Sequence, residues 1–563
     1  MKLIYTIILI AFFSLTINAQ SPYFHWAKKT GGIGNDKPTA IGIDYEGSIY
    51  TAGFLRDNID YDPGDNEFFL DEVEGWGSFI QKLDSNGNFV WAKQIFGLEW
   101  NSSQVNIYDI VFSNNFIYIS GLFDNTADFD PSEAEFVLDG TQFDIFVLKL
   151  DLDGNFIWAK QIGSGGGDFL RSFVIDSNEN IYLSGYIGGS DFDYDPGINE
   201  YTLPTNNSER IFFLKLDQNG EFQWVERLPY ENNSTLPSLS IDSNNDYIYV
   251  KTYDDEVDQT FNGTAYSTKT IINKFDTEGE LLWNKDFFGT SDIFNVSNVI
   301  DNIGNVYTIG SYKGEMYFEN GDVLASNGNF DIFISKLDSE GNSLWALGMG
   351  GDMSDRGWSI ATDSNGNVYA VGSFEDTADF ESGTGGQFLF SEGGKDIFIL
   401  KLDSNGNILL LEKISGTNEA NIDDEEAEHI IIDESDNIYI SGYFQGNADF
   451  DLGANSTFLN SFGGNDIFIL KMRQEELVGL EGEINIELLN VFPNPNNGNF
   501  SLNFEKVYNY IELNVFDIQG NIVYTSSFNN SSNVHLNLEL PPGVYASKVI
   551  TDKKMMFTKI IIK

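Results

Sequence analysis

Four stretches of this chain set two carboxylates on either side of an aromatic ring: Asp60-Tyr61-Asp62, Asp128-Phe129-Asp130, Asp193-Tyr194-Asp195 and Asp449-Phe450-Asp451. Asp379-Phe380-Glu381 is a near copy. In extended chain, residues i and i+2 point to one side and the residue between them to the other. Each pair therefore offers two hard oxygen donors together, the start of a site for a cation such as calcium. On this reading Asp60, Asp62, Asp128, Asp130, Asp193, Asp195, Asp449 and Asp451 are metal-ligand candidates, and calcium is the one cofactor they suggest. An aspartate ahead of Pro-Gly also caps turns by accepting nearby backbone N–H groups. Both readings stand at this point.

Catalytic constellations are scarce. The chain has three histidines and no cysteine, which excludes disulfides, thiolate metal sites and a cysteine nucleophile. His25 and His535 fall on strand patterns where packing or solvation explains them. His429 lies on the first strand of a repeat, at a position matched in the other copies by Ala40, Tyr108, Ser172, Ser238, Ser297 and Ser359. The Asp-Ser-Asn-Gly hairpins, such as residues 84–88, resemble half a calcium loop without its distal Glu and read as turns. No His-Glu-x-x-His, Gly-x-Ser-x-Gly or phosphate loop occurs. The expectation is a non-catalytic protein that requires no cofactor.

These residues ride on a repeat. The phrase at residues 82–93, Lys-Leu-Asp-Ser-Asn-Gly-Asn-Phe-Val-Trp-Ala-Lys, returns along the chain, and its tryptophan falls at Trp26, Trp91, Trp158, Trp224, Trp283 and Trp345, then Leu410. The steps are 65, 67, 66, 59, 62 and 65 residues. A period of this length means stacked units that bury one another's faces. Each repeat offers four short apolar runs and no helix; in the second they are residues 107–112, 116–122, 144–150 and 155–160. Four strands per unit, with every sheet covered on both faces, is a propeller blade. The chain opens on a lone fourth strand, residues 24–28, and the last repeat stops after its third, residues 466–472. The expected fold is all-β: a seven-bladed β-propeller over residues 20–472 closed by the N-terminal strand. A linker at 473–490 leads to a small immunoglobulin-like β-sandwich at 491–563, where Val534, Leu536, Leu538 and Leu540 alternate with polar residues. The fourth and fifth repeats depart from the pattern, with Lys251-Thr252 in place of Ser-Gly and Gln259–Phe261 or Glu319-Asn320 in place of the acidic pair.

Residues 1–19 have the pattern of a secretory signal: Lys2, an apolar run, then Ala19. The net charge is −55, and it is uneven. From Val491 onward six lysines meet five acids, whereas residues before it, without Lys2, carry 24 basic against 81 acidic side chains, or −57. Such a field repels nucleic acid and anionic membranes and attracts divalent cations and basic partners. The mature protein is expected to be acidic and exported, with no membrane insertion.

The tail carries three ordered blocks: Phe492-Pro493-Asn494-Pro495 with Gly498, then Val515-Phe516-Asp517-Ile518-Gln519-Gly520, then Gly543-Val544-Tyr545 with Lys559 close to the end. They resemble the type A C-terminal sorting domain of type IX secretion substrates. The repeat array is similar to the SBBP-type bacterial β-propeller family. The first resemblance implies a sorting motif at Pro493, Asn494, Pro495, Gly498, Gly520, Gly543, Tyr545 and Lys559. It also implies the type IX secretion machinery as partner, passage through the periplasm, and a secreted or outer-surface destination. The reading for function is a binding or adhesion scaffold for a glycan or surface protein, working through long loops on one acidic face. The alternative is a polysaccharide hydrolase or lyase built on the propeller.

Overall fold

The third run of each repeat is almost continuously apolar because it is covered on both sides. In Asp144–Asp151 every residue but the last is buried, and Asp331–Leu337 is buried throughout. The computed structural model describes residues 22–474 and 490–563, apart from segments at 56–58, 72–75, 100–102, 114, 141, 164–166, 188–191, 204–210, 229–236, 243–246, 255–258, 262–263, 382–385, 417–424, 454, 517–521, 539 and 552–554. The proposed signal, most of the linker and Gly520 lie outside the described residues.

Within the repeat array, every unit pairs its strands in chain order and antiparallel. The first is Pro38–Ile43, Ile49–Phe54, Gly77–Leu83 and Phe89–Gly97. The second is Gln104–Phe112, Phe116–Asp124, Asp144–Asp151 and Phe156–Ile162. Equivalent four-stranded sheets start at Phe169, Ser238, Ile293 and Arg356. In the last sheet Glu426–Ile432, Ile438–Phe444 and Asp466–Gln474 are joined by Pro22–Thr30 from the other end of the array. That pairing runs from Pro22 opposite Gln474 to Thr30 opposite Ile467, so the open edge of the last unit is filled. First strands pack against first strands around the array, and Pro38–Ile43 against Glu426–Ile432 completes the circle. The fold is an all-β propeller.

A bulge recurs in the first strands, and a glycine explains it. In the second unit the register slips between Ile107 and Asp109, opposite Gly121. A Cβ on Gly121 would lie 2.0 Å from the Asn106 carbonyl oxygen; on Gly372 and Gly442 it would lie 1.9 Å from the Arg356 and Glu426 oxygens. The bulged strand leans onto its neighbour there, and only glycine leaves room. Thr252 stands at this position in the fourth unit, whose described pairing begins later, at Ser238 opposite Lys251.

The sheets are tied together by a lysine on each third strand. Lys82, Lys149, Lys215, Lys274, Lys336, Lys401 and Lys471 are all buried. Each ammonium lies 4.6 to 5.3 Å from the ring centre of the tyrosine beside it on the second strand, from Tyr50 to Tyr439. Each then reaches the next sheet. Lys82 donates to the Leu152 carbonyl at 3.0 Å, Lys215 to Thr277 at 2.8 Å, Lys336 to Ser404 at 2.9 Å and, across the closure, Lys471 to Ser85 at 2.9 Å. An aspartate commonly completes the node: Asp44 accepts the Tyr50 hydroxyl at 3.0 Å and lies 3.5 Å from Lys82. Burial lowers the Lys471 pKa, with Arg473 lowering it further against the pull of Asp433 and Asp84.

The tail forms its own unit, divided from the array at Gln474/Glu475 by its contacts. Its strands Asn490–Phe492, Asn499–Phe516, Ile522–Asn537, Gly543–Thr551 and Met555–Ile562 make one hydrogen-bonded sheet. The register breaks between Asn503 and Tyr508, so Phe500 and Leu502 before the break share a core with Ile511, Leu513 and Val515 after it. The sheet folds over itself to bury Val534, Leu536 and Leu538.

Lys471→Met keeps the apolar stem but leaves the Ser85 carbonyl without this donor across the closing junction. A hydrogen bond from a charged donor contributes about 1.5–3 kcal/mol, so the urea midpoint is expected to fall by that equivalent. An unchanged midpoint would show that the closing lysine carries no stability.

Candidate functional site

The acidic pairs sit in small hairpins between second and third strands, and their aromatic residue is the anchor. Tyr61, Phe129, Tyr194 and Phe450 are buried, with ring centres 4.9, 4.8, 5.9 and 4.9 Å from Phe79, Phe146, Phe212 and Phe468 of the third strands. The acids on the opposite side shape the turn. Asp128 Oδ1 accepts the N–H groups of Asp130 at 3.0 Å and Phe136 at 2.9 Å, and Asp130 Oδ1 accepts Ser132 N–H at 3.0 Å. Asp60 and Asp62, Asp193 and Asp195, and Asp449 and Asp451 repeat this arrangement. Pairs in different hairpins belong to different units, and no group of three or more acidic or histidine side chains placed to hold a metal ion occurs among the described residues.

These hairpins also do something the repeat alone does not announce: each reaches the outer strand of the preceding sheet. Asp128 pairs with Phe96 and Ala127 with Gly97; Gly31 bridges Asp60, and Gly416 bridges Ala448. The fifth unit keeps the contact despite its changed sequence, since Met316 pairs with Gly289. The hairpins thus cover sheet edges at the end where the chain passes to the next first strand. They share that end with the first-strand bulges.

On the inner ring, the residue at the position after the bulge stitches one first strand to the next in three of the units. Ser359 Oγ accepts Ile430 N–H at 3.2 Å, and Ser238 Oγ donates to Asn298 Oδ1 at 3.2 Å. Asp109 accepts N–H groups from Ile110 and, in the next sheet, Phe173; burial nevertheless pushes its carboxyl up to about 7. Register therefore corrects the sequence alignment: Asp109, opposite Ser120, is the counterpart of Ser172 and His429, whereas Tyr108 is the bulged residue. The turn before Tyr118 is one residue shorter than its counterparts, so counting back from Tyr118 misplaces the match.

The bulged positions carry unlike groups: Thr39, Tyr108, Arg171, Trp358 and Glu428. The Arg171 guanidinium lies 5.8 Å from the Tyr108 ring centre; the residue as a whole is exposed, although burial around its charge lowers its pKa. Lys251 of the neighbouring sheet is buried, and burial together with Arg171 lowers its pKa to about 8. Burial raises Glu428 to about 7, with Lys37 and Glu426 facing it, and lowers His429 to about 4, leaving that imidazole neutral at ordinary pH. His25 is half-buried on the closing strand, and His535 is exposed with Ser501 Oγ at 2.9 Å.

In the tail, blocks far apart in sequence meet. Asn494 Nδ2 donates to the Lys559 carbonyl at 2.5 Å and its Oδ1 accepts Ile561 N–H at 2.8 Å. Asn496 pairs with both Ile561 and Lys563 through its backbone. Gly498 has φ 96°, and a Cβ there would lie 2.3 Å from the Leu538 oxygen. Tyr545 donates to the Pro541 carbonyl at 2.7 Å. The Pro-Asn-Pro opening is thereby laced to the terminal strand.

Residues 490–563 match the secretion system C-terminal sorting domain family, and residues 157–193 match a β-propeller repeat family. The chain is similar to an uncharacterized WD repeat-containing protein of Acanthamoeba polyphaga mimivirus, 23% identical over 505 residues, covering 74% of this chain and 36% of that protein. It thus spans about a third of the length of that relative. Similar solved structures include Kuenenia stuttgartiensis hydrazine synthase, at 9% identity and TM-score 0.39, covering 75% of this chain and 95% of that one. The WD40 domain of Toxoplasma gondii coronin gives 8% and 0.38 over 82% and 89%. An ulvan lyase of polysaccharide lyase family 25 gives 12% and 0.34 over 79% and 96%. The chain thus carries a β-propeller repeat at residues 157–193 and a secretion system C-terminal sorting domain at residues 490–563.

Proposed function

We propose that this protein is an exported binding scaffold that takes a glycan or surface-protein ligand at the mouth of its central ring. The observation that carries this reading is where repeat symmetry fails. Residues that stitch the inner ring are mostly serine, whereas the adjoining bulged positions differ from unit to unit. Scaffolding needs the former and gives no reason for the latter. A guanidinium held over a tyrosine ring presents hydrogen-bond donors and an apolar face together, suited to sugar hydroxyls and carboxylates. The acidic hairpins lie at the same end and set a negative rim around it. The presence of a neutral His429 beside Glu428 favours a second reading, a polysaccharide hydrolase or lyase, because such a pair can move a proton.

A glycan array with and without chelator, followed by titration of the best ligand, tests the site. Arg171→Gln is expected to weaken binding at least about tenfold, equivalent to about 1.4 kcal/mol. Full affinity in that variant moves the ligand elsewhere, and release of new sugar ends during incubation would favour the enzymatic reading.

Export is proposed to run through the periplasm to the cell exterior, with the laced tail as the recognised element. Removing residues 491–563 is expected to leave a folded propeller in the periplasm, and Asn494→Ala, which unlaces the opening from the last strand, to reduce extracellular yield. Equal yield with and without the tail would defeat this route.

A further inference from the structure

Two departures from repeat symmetry stand side by side on the inner ring, and both are cationic. At the second-strand position that pairs with the residue after the bulge, six units carry Ala52, Ser120, Ser184, Ile309, Val371 and Ser441. The fourth carries Lys251, opposite Ser238. Arg171 is the bulged residue of the third unit, whose first strand packs against Gln104–Phe112 on one side and Ser238–Asp242 on the other. Its guanidinium thus meets the Tyr108 ring of the second unit, 5.8 Å away, and the charge of Lys251 from the fourth.

This placement runs against the composition. The chain before Val491, without Lys2, carries 24 basic against 81 acidic side chains, so a cation meets an acid by default. Lys29, Lys160, Lys285 and Lys395 each hold a carboxylate at 2.6 to 3.0 Å. Arg171 makes no hydrogen bond or ion pair to any described residue, and the groups that bear on its charge are Tyr108 and Lys251. Burial and Arg171 together lower Lys251 to about 8, the response of an ammonium crowded by a like charge. Packing gives no reason to set two cations together in so acidic a protein. An anion bound between them does, because it offsets their mutual repulsion.

We propose that the ligand at the ring mouth is an acidic glycan whose carboxylate or sulfate group is held by Arg171, with the buried Lys251 supplying a second positive charge beneath it. This rests on the reading that the ring mouth is where a ligand binds. A planar guanidinium takes such a group through two parallel N–H bonds, which a neutral sugar cannot match. Ser238, bonded to Asn298 of the next unit at 3.2 Å, lies opposite Lys251, and both are half-buried. Their hydroxyl and amide groups suit sugar hydroxyls, whereas a peptide strand is held by pockets for alternate side chains. The acidic hairpins do not cancel the attraction. They lie on outer strands, three strand spacings or roughly 14 Å from the inner ring. That exceeds the screening length of about 8 Å at physiological salt.

The test is a glycan array read with the full exported chain at physiological ionic strength. Oligogalacturonates, oligoglucuronates and sulfated oligogalactoses are each printed beside their carboxyl-reduced or desulfated parent, with polyglutamate on the same surface. The best pair is then titrated by calorimetry. The acidic member is expected to bind at least about tenfold more tightly than its parent, and its identity separates carboxylate from sulfate. Arg171→Gln should bring that ratio close to one, Arg171→Lys should keep part of it, and Lys251→Met, which retains the apolar stem, should lower it. Melting curves check that each variant is folded; Arg171 is exposed, so its two variants decide the matter even if Lys251→Met is not. Acidic and neutral members bound equally, and weakened equally by Arg171→Gln, would overturn the anionic assignment while upholding the ring mouth as the binding place. A preference for acidic sugars unmoved by Arg171→Gln would overturn both. Polyglutamate bound more tightly than any sugar would make the partner an acidic protein and overturn the glycan.

Discussion

An ammonium group that leaves its own sheet and finds an acceptor in the next holds this array together. Seven third-strand lysines stand on seven tyrosine rings, and six of them donate to a backbone carbonyl in the following unit. Lys401 meets the Gln474 side-chain oxygen at the corresponding position. Apolar packing between sheets is strong but indifferent to register, because a slip can exchange one Ile or Phe for another. A buried cation is not indifferent: without its acceptors it carries the full cost of desolvation. The lysine therefore fixes where each unit sits on its neighbour, and Lys471 on Ser85 applies the same rule to the closing pair. The second unit shows how firmly the node is kept. Ser113 stands where other units have an acid, and Glu179 from the next unit fills in, accepting Tyr118 at 2.8 Å and Lys149 at 3.3 Å. It does so from φ 60°, at a turn position held by Gly47, Gly304 and Gly366 elsewhere. A backbone conformation that favours glycine is accepted to supply the missing charge.

The candidate site is a consequence of the same regularity. A glycine on the second strand, in every unit but the fourth, draws a carbonyl of the first strand onto it, and the bulge that results leaves one residue outside the ladder. That residue has no pairing duty, so its identity is free to vary while its neighbour stitches the ring. Tyr108, Arg171, Trp358 and Glu428 occupy such positions. Functional diversity is thereby confined to places where the scaffold tolerates it.

Much of this was legible in the sequence, and the parts that were not share a cause. The tryptophan period, the four runs per repeat and the split last sheet all reflect local periodicity, and the strands of the second unit lie within two or three residues of their expected bounds. The tail blocks could be read because their spacing is preserved along the chain. What escaped was pairwise and long-range. Capping of nearby N–H groups was one of the two readings that Asp128-Phe129-Asp130 offered, but nothing in it says that the hairpin lies on a strand some thirty residues earlier or that Asp128 also reaches an N–H group eight residues ahead. The inner ring was misaligned by one residue in the second unit because turn length, not strand register, set the count.

Acidity in this chain is consequently of two physical kinds. These turn aspartates are half-buried and satisfied: at Asp84, Asp151, Asp338 and Asp403 a small burial penalty is outweighed by N–H groups two and four residues on, which hold the carboxyls below their usual range. They add stability above their ordinary pKa near 4 and lose it only as pH falls through the depressed value. Asp331, Asp355 and Asp396, buried where one unit meets the next, behave oppositely. Their carboxyls are raised by burial, so each costs stability when ionised and the cost grows as pH rises toward 7. A repeat protein can multiply the first kind at little cost. The second kind must be answered one junction at a time, and the answers differ: a lysine at Asp466 and Asp396, and a glutamine at Asp144. Solvent and salt screen the first population, whereas the second is sensitive only to what enters the junction itself.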